Sequence, residues 1–490
     1  MEETMKAQTS SPAYEGFTGQ YINGQWCAGS AMRELEDINP YDDSLLTRIA
    51  MAGRDDLDRA YEAARAAQKA WALALPKERA AIFQNAVGIL DSRRAEIIGW
   101  VIRESGSTRM KATAEFEAVR AGMAEAASMP YLMHGMIMPV DHPGKEARVY
   151  RKPVGVIGVI SPWNFPLHLS NRSVAPAIAL GNAVVLKPAS DTPVTGGLLL
   201  AKIYEEAGLP AGVLNVVIGA GSEIGDAFCA HPIPRIISFT GSTEVGQRIA
   251  RVAAGSSRLK KLGLELGGNA PLVILDDADI ATAVNAALVG RFLHCGQICM
   301  STNRIIVDKA LYDDFLDAYC AAVSGIKCGD PNAEDTMIGP LCNDAQVQSV
   351  TGLIESGRQQ GFDLRVSGAV EGRIVPPHVF ADVAHHSRLA QTEIFGPVAP
   401  VIRAADEGEA LAFANDTEYG LSSAVITGDE QRGMRFAQSV EAGMTHINDI
   451  TIHDFPHVMF GGEKNSGLGR FNGHWIIEEF TTDHLVTVQR

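Results

Sequence analysis

The chain has 490 residues, enough for about three domains of roughly 150 residues each, and its 46% hydrophobic and 20% charged side chains are the balance of a chain that buries a sizeable core. Asp and Glu outnumber Lys and Arg 58 to 42, a formal charge of −16, so the basic footprint needed for nucleic acid or an anionic membrane is absent and neither is expected as a partner. Met1 to Tyr14 lacks the basic start and apolar run of a signal, apolar stretches such as Val154 to Ile160 are too short to span a bilayer, and seven scattered cysteines suit no disulfide framework, so a cytoplasmic protein is expected.

In chain order, Asp56 to Trp71, Lys77 to Ser105 and Lys111 to Ala127 carry apolar residues every three or four positions, which predicts a helical layer. From Met136 to Lys152 the pattern changes to alternation with a Pro and Gly break, and Glu146 to Arg151 reads as an exposed strand, an arm leaving the body of a domain. Val154 to Ile160, Ala183 to Leu186, Leu214 to Ile218 and Arg235 to Phe239 are strand-like, with helical segments Pro193 to Glu206 and Ser242 to Ala254 between or after them. That alternation predicts a parallel sheet with crossover helices. Thr192 is the expected cap of the helix beginning at Pro193. A second alternating block from about Leu272 to Asn448 holds helices at Ala278 to Phe292 and Ala310 to Ser324, with strands at Arg304 to Val307 and Ala424 to Ile426, and predicts a separate α/β lobe. Thr481 to Gln489 alternates again and is a partner for the Glu146 arm.

Ligands of parallel sheets sit at the carboxyl ends of the strands, and four polar segments fall there: Ser161 to Pro166, Lys187 to Ser190, Gly219 to Gly225 and Thr240 to Gly246. The two glycine-rich turns suit phosphate at a helix N-terminus, or else only helix packing and capping. Cys299 in Gly296-Gln-Ile-Cys299 is a nucleophile or a small buried hydrophobe, and its spacing from Cys295, with no second Cys/His pair, gives no metal site. Glu265 lies between apolar neighbours beside Gly267-Gly268, as an ion-paired structural acid or as a base raised by desolvation. Asn164 sits between two prolines, a fixed amide that serves either as an oxyanion donor or as a turn stabiliser.

Together these segments resemble the aldehyde dehydrogenase superfamily, from about Gln20 to the C-terminus. The carrying residues are Pro162-Trp-Asn-Phe-Pro166, Lys187-Pro188, Phe239-Thr-Gly-Ser-Thr-Glu-Val-Gly246, Leu264-Glu-Leu-Gly-Gly268, Gly296-Gln-Ile-Cys299, Glu393-Ile-Phe-Gly-Pro397 and Phe460-Gly-Gly-x-Lys-x-Ser-Gly467. Pro153 to Thr195 and the tail from Phe471 to Thr482 look most like the vanillin and benzaldehyde dehydrogenase branch. The resemblance implies an α/β protein with a Rossmann-like parallel-sheet domain for NAD or NADP (residues 1–128 and 151–263), a second α/β catalytic domain (264–450), and a small β arm for oligomerisation (129–150 and 475–490). A homodimer or homotetramer acting on a small aldehyde is implied.

By the same resemblance Cys299 is the nucleophile, Asn164 with the Cys299 backbone N–H forms the oxyanion hole, and Glu265 is the base for deacylation. Lys187 binds the adenosine ribose, Gly241 and Ser242 the pyrophosphate with Thr243 and Gly246 of the same turn, Trp163 and Gly221 to Gly225 the adenine side, and Glu393 with Phe395 the nicotinamide ribose and ring. Ser190 stands where strictly NAD-using members often carry an acid, so NADP is expected to be tolerated. His294-Cys295 also departs from the common pattern, and a Cys295–Cys299 disulfide is weighed against plain packing. The expected substrate is an aromatic aldehyde, with Phe455 and Phe460 stacking on its ring and with Leu169, Ile298 and His453 to His457 shaping the funnel. An aliphatic aldehyde or semialdehyde substrate, a thiol-dependent hydrolase and a catalytically silent protein are the competing readings.

Overall fold

The computed structural model describes residues 12–490, so most of the Met1 to Tyr14 segment lies outside the described residues. An eight-stranded sheet is built in the order Gln25–Cys27, Gln20–Ile22, Leu214–Val216, Ala183–Lys187, Val156–Ile160, Ile236–Thr240, Lys261–Glu265, Gly467–Leu468. Its five inner strands are mutually parallel, and short antiparallel strands close both margins. The apolar runs are buried up to the partly exposed Ile160 and Thr240 at their carboxyl ends because helices cover both faces, as parallel sheets demand. Helix Pro166–Ala179 leaves only His168 outside the buried set.

The helical layer comprises Arg54–Trp71, Pro76–Ser92, Arg94–Ser105 and Arg109–Ala126. The single helix expected over Lys77 to Ser105 is two, divided at Arg93, whose backbone leaves the helical region at φ −110° and ψ 15°. Its guanidinium is drawn into ion pairs with Glu96 and Glu206 and stacks 3.8 Å above the Tyr14 ring. Thr192 does not cap the helical segment Val194–Glu206. The carboxylate of Glu104 accepts the Val194 N–H at 2.6 Å and the Thr195 N–H at 2.7 Å, while the Thr192 hydroxyl is buried without a partner.

A seven-stranded sheet forms the second lobe, in the order Asp363–Val366, His378–Ala381, Val398–Ala404, Thr302–Asp308, Ala270–Ile274, Ser422–Ile426, Met444–Ile447. Only its first pair is antiparallel. The chain passes from the first sheet to the second through Leu266–Asn269, so Glu265 ends a strand of one sheet beside the start of the other. A three-stranded sheet joins Met136–Met138, Lys145–Pro153 and Thr481–Gln489, and the tail pairs with the arm residue for residue from Thr481↔Pro153 to Gln489↔Lys145. Residues Gly473–Phe480, partly assigned to the arm, form a helix that precedes the tail strand. Among the described residues no helix is long and apolar enough to cross a membrane.

Candidate active site

One cleft between the two large sheets is lined by Trp163, Asn164, Leu169, Gly241, Ser242, Cys299, Glu393 and Phe395, all singled out in the sequence, together with Leu266, Gln346 and Ser349, whereas Glu265 is buried outside this lining. It lies beyond the carboxyl ends of Val156–Ile160, Ile236–Thr240 and Lys261–Glu265, the position a doubly wound sheet assigns to ligands.

Cys299 reaches the cleft through an unusual turn. His294, Cys295 and Gly296 all adopt left-handed backbone, with φ of 50°, 57° and 73°, and for the two non-glycine residues such geometry costs of order 1–2 kcal/mol each. Burial over-determines it. Arg291, fully buried, donates to the carbonyls of Thr302 (2.9 Å), Gly296 (3.4 Å) and Gly396, and a Cβ on Gly296 would sit 2.4 Å from that guanidinium. The Gln297 side chain accepts the Cys342 N–H at 3.0 Å and donates to the His294 carbonyl at 3.3 Å. Behind Cys299, Gly268 is a residue no other could replace without movement, because a Cβ there would lie 2.1 Å from the Cys299 carbonyl oxygen. The Cys299 thiol is half-buried, and burial, helped by the carboxylates of Glu393, Glu265 and Asp454, pushes it up to about 12 against the pull of Arg172. Cys295 is buried and turns its thiol to the Gly339 carbonyl at 3.4 Å, and all seven cysteines are free.

The amide of Asn164 is buried and donates to the Gln297 carbonyl at 2.9 Å, which leaves its second N–H for the cleft. Glu265 is 2% exposed, and neither of its carboxylate oxygens has a hydrogen-bond partner. Desolvation pushes it up to about 8, opposed by the Arg172 guanidinium. Arg172 and Arg470 act on Glu265 only through their fields, without a direct ion pair. A buried, unsatisfied carboxyl is a costly arrangement, of the kind found at functional sites.

Glu393 accepts the Gly268 N–H at 2.8 Å, and burial pushes it up to about 7. Phe395, with φ of 50°, meets the Trp163 ring edge-on at 5.4 Å. Lys187 is 6% exposed and has no carboxylate partner; its ammonium finds only the Pro188 carbonyl at 3.4 Å, and burial pulls it down to about 8. An interior ammonium short of acceptors at a strand end fits a ligand rich in hydroxyl and phosphate oxygens, and the open space beyond Gly221 and Gly225, where a Cβ would meet nothing within 4 Å, fits a flat group laid across that edge. Ser242 caps helix Thr243–Ala254 and stands exposed at its N-terminus, where an anion is favoured. Two residues of that turn have other partners: the Thr243 hydroxyl donates to the Asn465 carbonyl at 3.2 Å, and Gly246 is covered by Leu266, whose methyl would be 2.4 Å from a Cβ. Ser190 is half-buried in the turn after Lys187.

Phe460 cannot stack on a substrate ring, since it is buried beneath the Arg172 guanidinium at 4.4 Å, whereas Phe455 is half exposed and stacked on His453. Asp454, expected within the funnel segment His453 to His457, instead centres a charged group behind Glu265: it accepts from Arg172 (3.2 Å) and Asn472 (2.6 Å) and pairs with His168 (2.8 Å), which holds its carboxyl well below the usual range. Nothing in the local sequence joins residues 168 and 172 to 454 and 472. Sequence reading missed His385, His386 and Asp416, whose ligating atoms lie within 4.8 Å of one another outside the cleft lining. The His385–Asp416 hydrogen bond of 2.9 Å accounts for that contact.

A family model described as the aldehyde dehydrogenase family matches residues 26–486. The chain is 54% identical over 473 residues to a vanillin dehydrogenase of Corynebacterium glutamicum (96% of this chain, 98% of the relative) and 48% identical over 476 residues to a benzaldehyde dehydrogenase of Bacillus subtilis (97% and 98%). A crystal structure of a NAD-dependent benzaldehyde dehydrogenase from Corynebacterium glutamicum superposes with a TM-score of 0.91 at 50% identity, covering 98% of each chain. The α/β architecture with two sheets flanking a cleft, with a cysteine and an amide lining it and an acid buried near the cysteine, is that of an aldehyde oxidoreductase. The chain belongs to the aldehyde dehydrogenase family.

Proposed function

We propose that the cleft oxidises an aromatic aldehyde to its carboxylic acid with NAD+ or NADP+, through a thiohemiacetal and a thioester on Cys299. The observation that carries the reading is that the Cys299 thiol and the Asn164 amide line one cleft, while the unpartnered Glu265 carboxyl, buried outside that lining, lies within the electrostatic field of the thiol. The thiolate adds to the aldehyde carbon, and the resulting alkoxide is met by the free Asn164 N–H and the Cys299 backbone N–H, a preorganised donor of this kind contributing about 3 kcal/mol. The bound cofactor supplies an oxidised nicotinamide ring that accepts the hydride. Glu265 then takes a proton from water, the hydroxide adds to the thioester carbonyl, and the Cys299 thiolate leaves as the acid forms. Lys187 and Glu393 are the residues that would hold the two riboses, and a hydrolase has no need of either.

The aromatic substrate is supported by the vanillin and benzaldehyde dehydrogenases among the relatives and by a cleft bordered by Leu169, Phe395 and Trp163. The test is a panel of aldehydes with either cofactor, followed by reduced nicotinamide. Benzaldehyde-type substrates are expected to exceed propanal and succinate semialdehyde in kcat/KM; the reverse ranking would transfer the assignment to the aliphatic class.

Cofactor choice is expected to be permissive. Serine at position 190 neither accepts from both ribose hydroxyls nor repels a 2′-phosphate, and the Lys187 charge is attractive. Ser190→Glu should weaken NADP+ far more than NAD+, since one like charge near a phosphate costs on the order of 1 kcal/mol or more. An unchanged ratio of kcat/KM for the two cofactors would mean that position 190 does not face the 2′ group.

The protein is further assigned to the cytoplasm, which suits its seven free cysteines, and to a dimer or a dimer of dimers. The arm sheet exposes apolar side chains on both faces, Met136, Met138 and Leu485 on one and Ile137 and Val486 on the other. Light scattering at micromolar concentration should return the mass of two or four chains; the mass of one chain would refute the assembly.

A further inference from the structure

We propose that the buried ion pair Lys111–Glu115 is a positioning device for the oxyanion amide. It locks the turn Pro162–Pro166 against the turn His294–Cys299 and so fixes the direction in which Asn164 donates. The proposal rests on the oxyanion reading of Asn164 given above.

Both side chains lie on helix Arg109–Ala126, four residues apart, and both are 0% exposed, with the ammonium 2.5 Å from Glu115 Oε2. Carboxylate Oε1 accepts two backbone N–H groups, from Leu167 at 2.9 Å and His168 at 3.1 Å. These are free N–H groups of the first turn of helix Pro166–Ala179, whose own N-cap residue, Phe165, has no side chain able to accept them. The helix begins two residues after Asn164, so Glu115 supplies the cap that the local sequence lacks. Lys111 works on the other side of the same turn. Its ammonium stands 4.2 Å from the centre of the Phe165 ring, and that ring meets His294 edge-on at 5.7 Å. Asn164 itself donates to the Gln297 carbonyl, two residues before the nucleophile. One charged pair therefore braces both walls of the oxyanion site.

A buried ion pair is a poor device for stability alone, because its desolvation offsets most of its attraction and apolar residues of similar volume pack as well or better. Directional bonds are what apolar residues lack, and here the two bonds to Glu115 Oε1 and the Lys111–Phe165 contact are aimed at the turn that carries Asn164, with the Phe165 ring passing the contact on to His294. Loss of this bracing leaves the amide free to swing, and a displacement of about 1 Å at a reacting centre costs up to ~100-fold in rate.

The test uses Glu115→Gln, and Lys111→Met combined with Glu115→Gln so that no charge is left unpaired, each in the wild-type and in the Asn164→Ala background. Single-turnover formation of reduced nicotinamide, the Kd for NAD+ and the thermal midpoint are measured on each. In the otherwise wild-type enzyme the single-turnover rate is expected to fall ten- to a hundred-fold with the NAD+ Kd unchanged, and in the Asn164→Ala background the same substitutions should cost less than about twofold. A merely structural pair would lower the thermal midpoint and cost the same factor in both backgrounds, and that result, or an unchanged single-turnover rate, overturns the proposal. If neither charge variant folds, Phe165→Leu, which keeps the ion pair and removes the ring beneath the ammonium, is put through the same comparison with the same two outcomes. Should Asn164→Ala by itself leave the single-turnover rate intact, the oxyanion reading falls first, and the positioning role with it.

Discussion

Cys299→Ala is expected to abolish aldehyde oxidation while NAD+ still binds, with kcat falling by roughly four orders of magnitude or more, as when a nucleophile is removed from other covalent catalysts. Cofactor binding should survive because Lys187, Ser242 and Glu393 hang on other segments, and alanine at 299 leaves unchanged the backbone carbonyl that packs against Gly268. Cys295→Ala is the control. Its thiol faces the Gly339 carbonyl inside the second lobe's core, so most activity should remain. Comparable turnover in the Cys299→Ala protein would sink the covalent mechanism, and loss in both variants would point to the strained turn they share.

Much of this site was legible because its residues lie in short contiguous motifs at strand ends. Gly296-Gln-Ile-Cys299, Pro162 to Pro166 and Glu393 to Pro397 each carry their own turn chemistry, and buried parallel strands announce themselves as apolar runs. What stayed hidden is what long-range contact decides. Glu104 caps a helix 90 residues further on, Glu115 caps another 52 residues on, and Asp454 gathers His168 and Arg172 from more than 280 residues away; no local pattern encodes such a meeting. Phe460 shows the opposite failing: the family resemblance implies an aromatic for a substrate funnel, yet Arg172 covers it. One miss was avoidable. The hairpin Gln20–Cys27 turns on Asn23-Gly24, both at positive φ, a dipeptide that signals a two-residue turn between strands, and it adds two strands at the margin of the cofactor sheet.

Glu265→Gln should separate the two halves of the reaction. The amide cannot accept a proton from water, so one reduced nicotinamide per site should appear rapidly, after which turnover should slow by roughly 10²- to 10⁴-fold as the thioester accumulates. The pH dependence carries a sign that the geometry fixes. A carboxyl pushed up to about 8 is protonated, and idle as a base, below that pH, so hydrolysis-limited turnover in the wild-type enzyme should rise with pH through about 8, and this limb should vanish in Glu265→Gln. Arg172 opposes the desolvation and favours the carboxylate, so Arg172→Met should move the limb to higher pH; a limb that stays in place would assign the titration to another group. The alternative role is equally exposed. The Cys299 thiol, raised to about 12, holds little thiolate near neutrality before cofactor binds, and a base within its field is needed if the cofactor's own charge does not suffice. If Glu265 is that base, Glu265→Gln will give no rapid burst at all, and the residue moves from thioester hydrolysis to activation of the nucleophile.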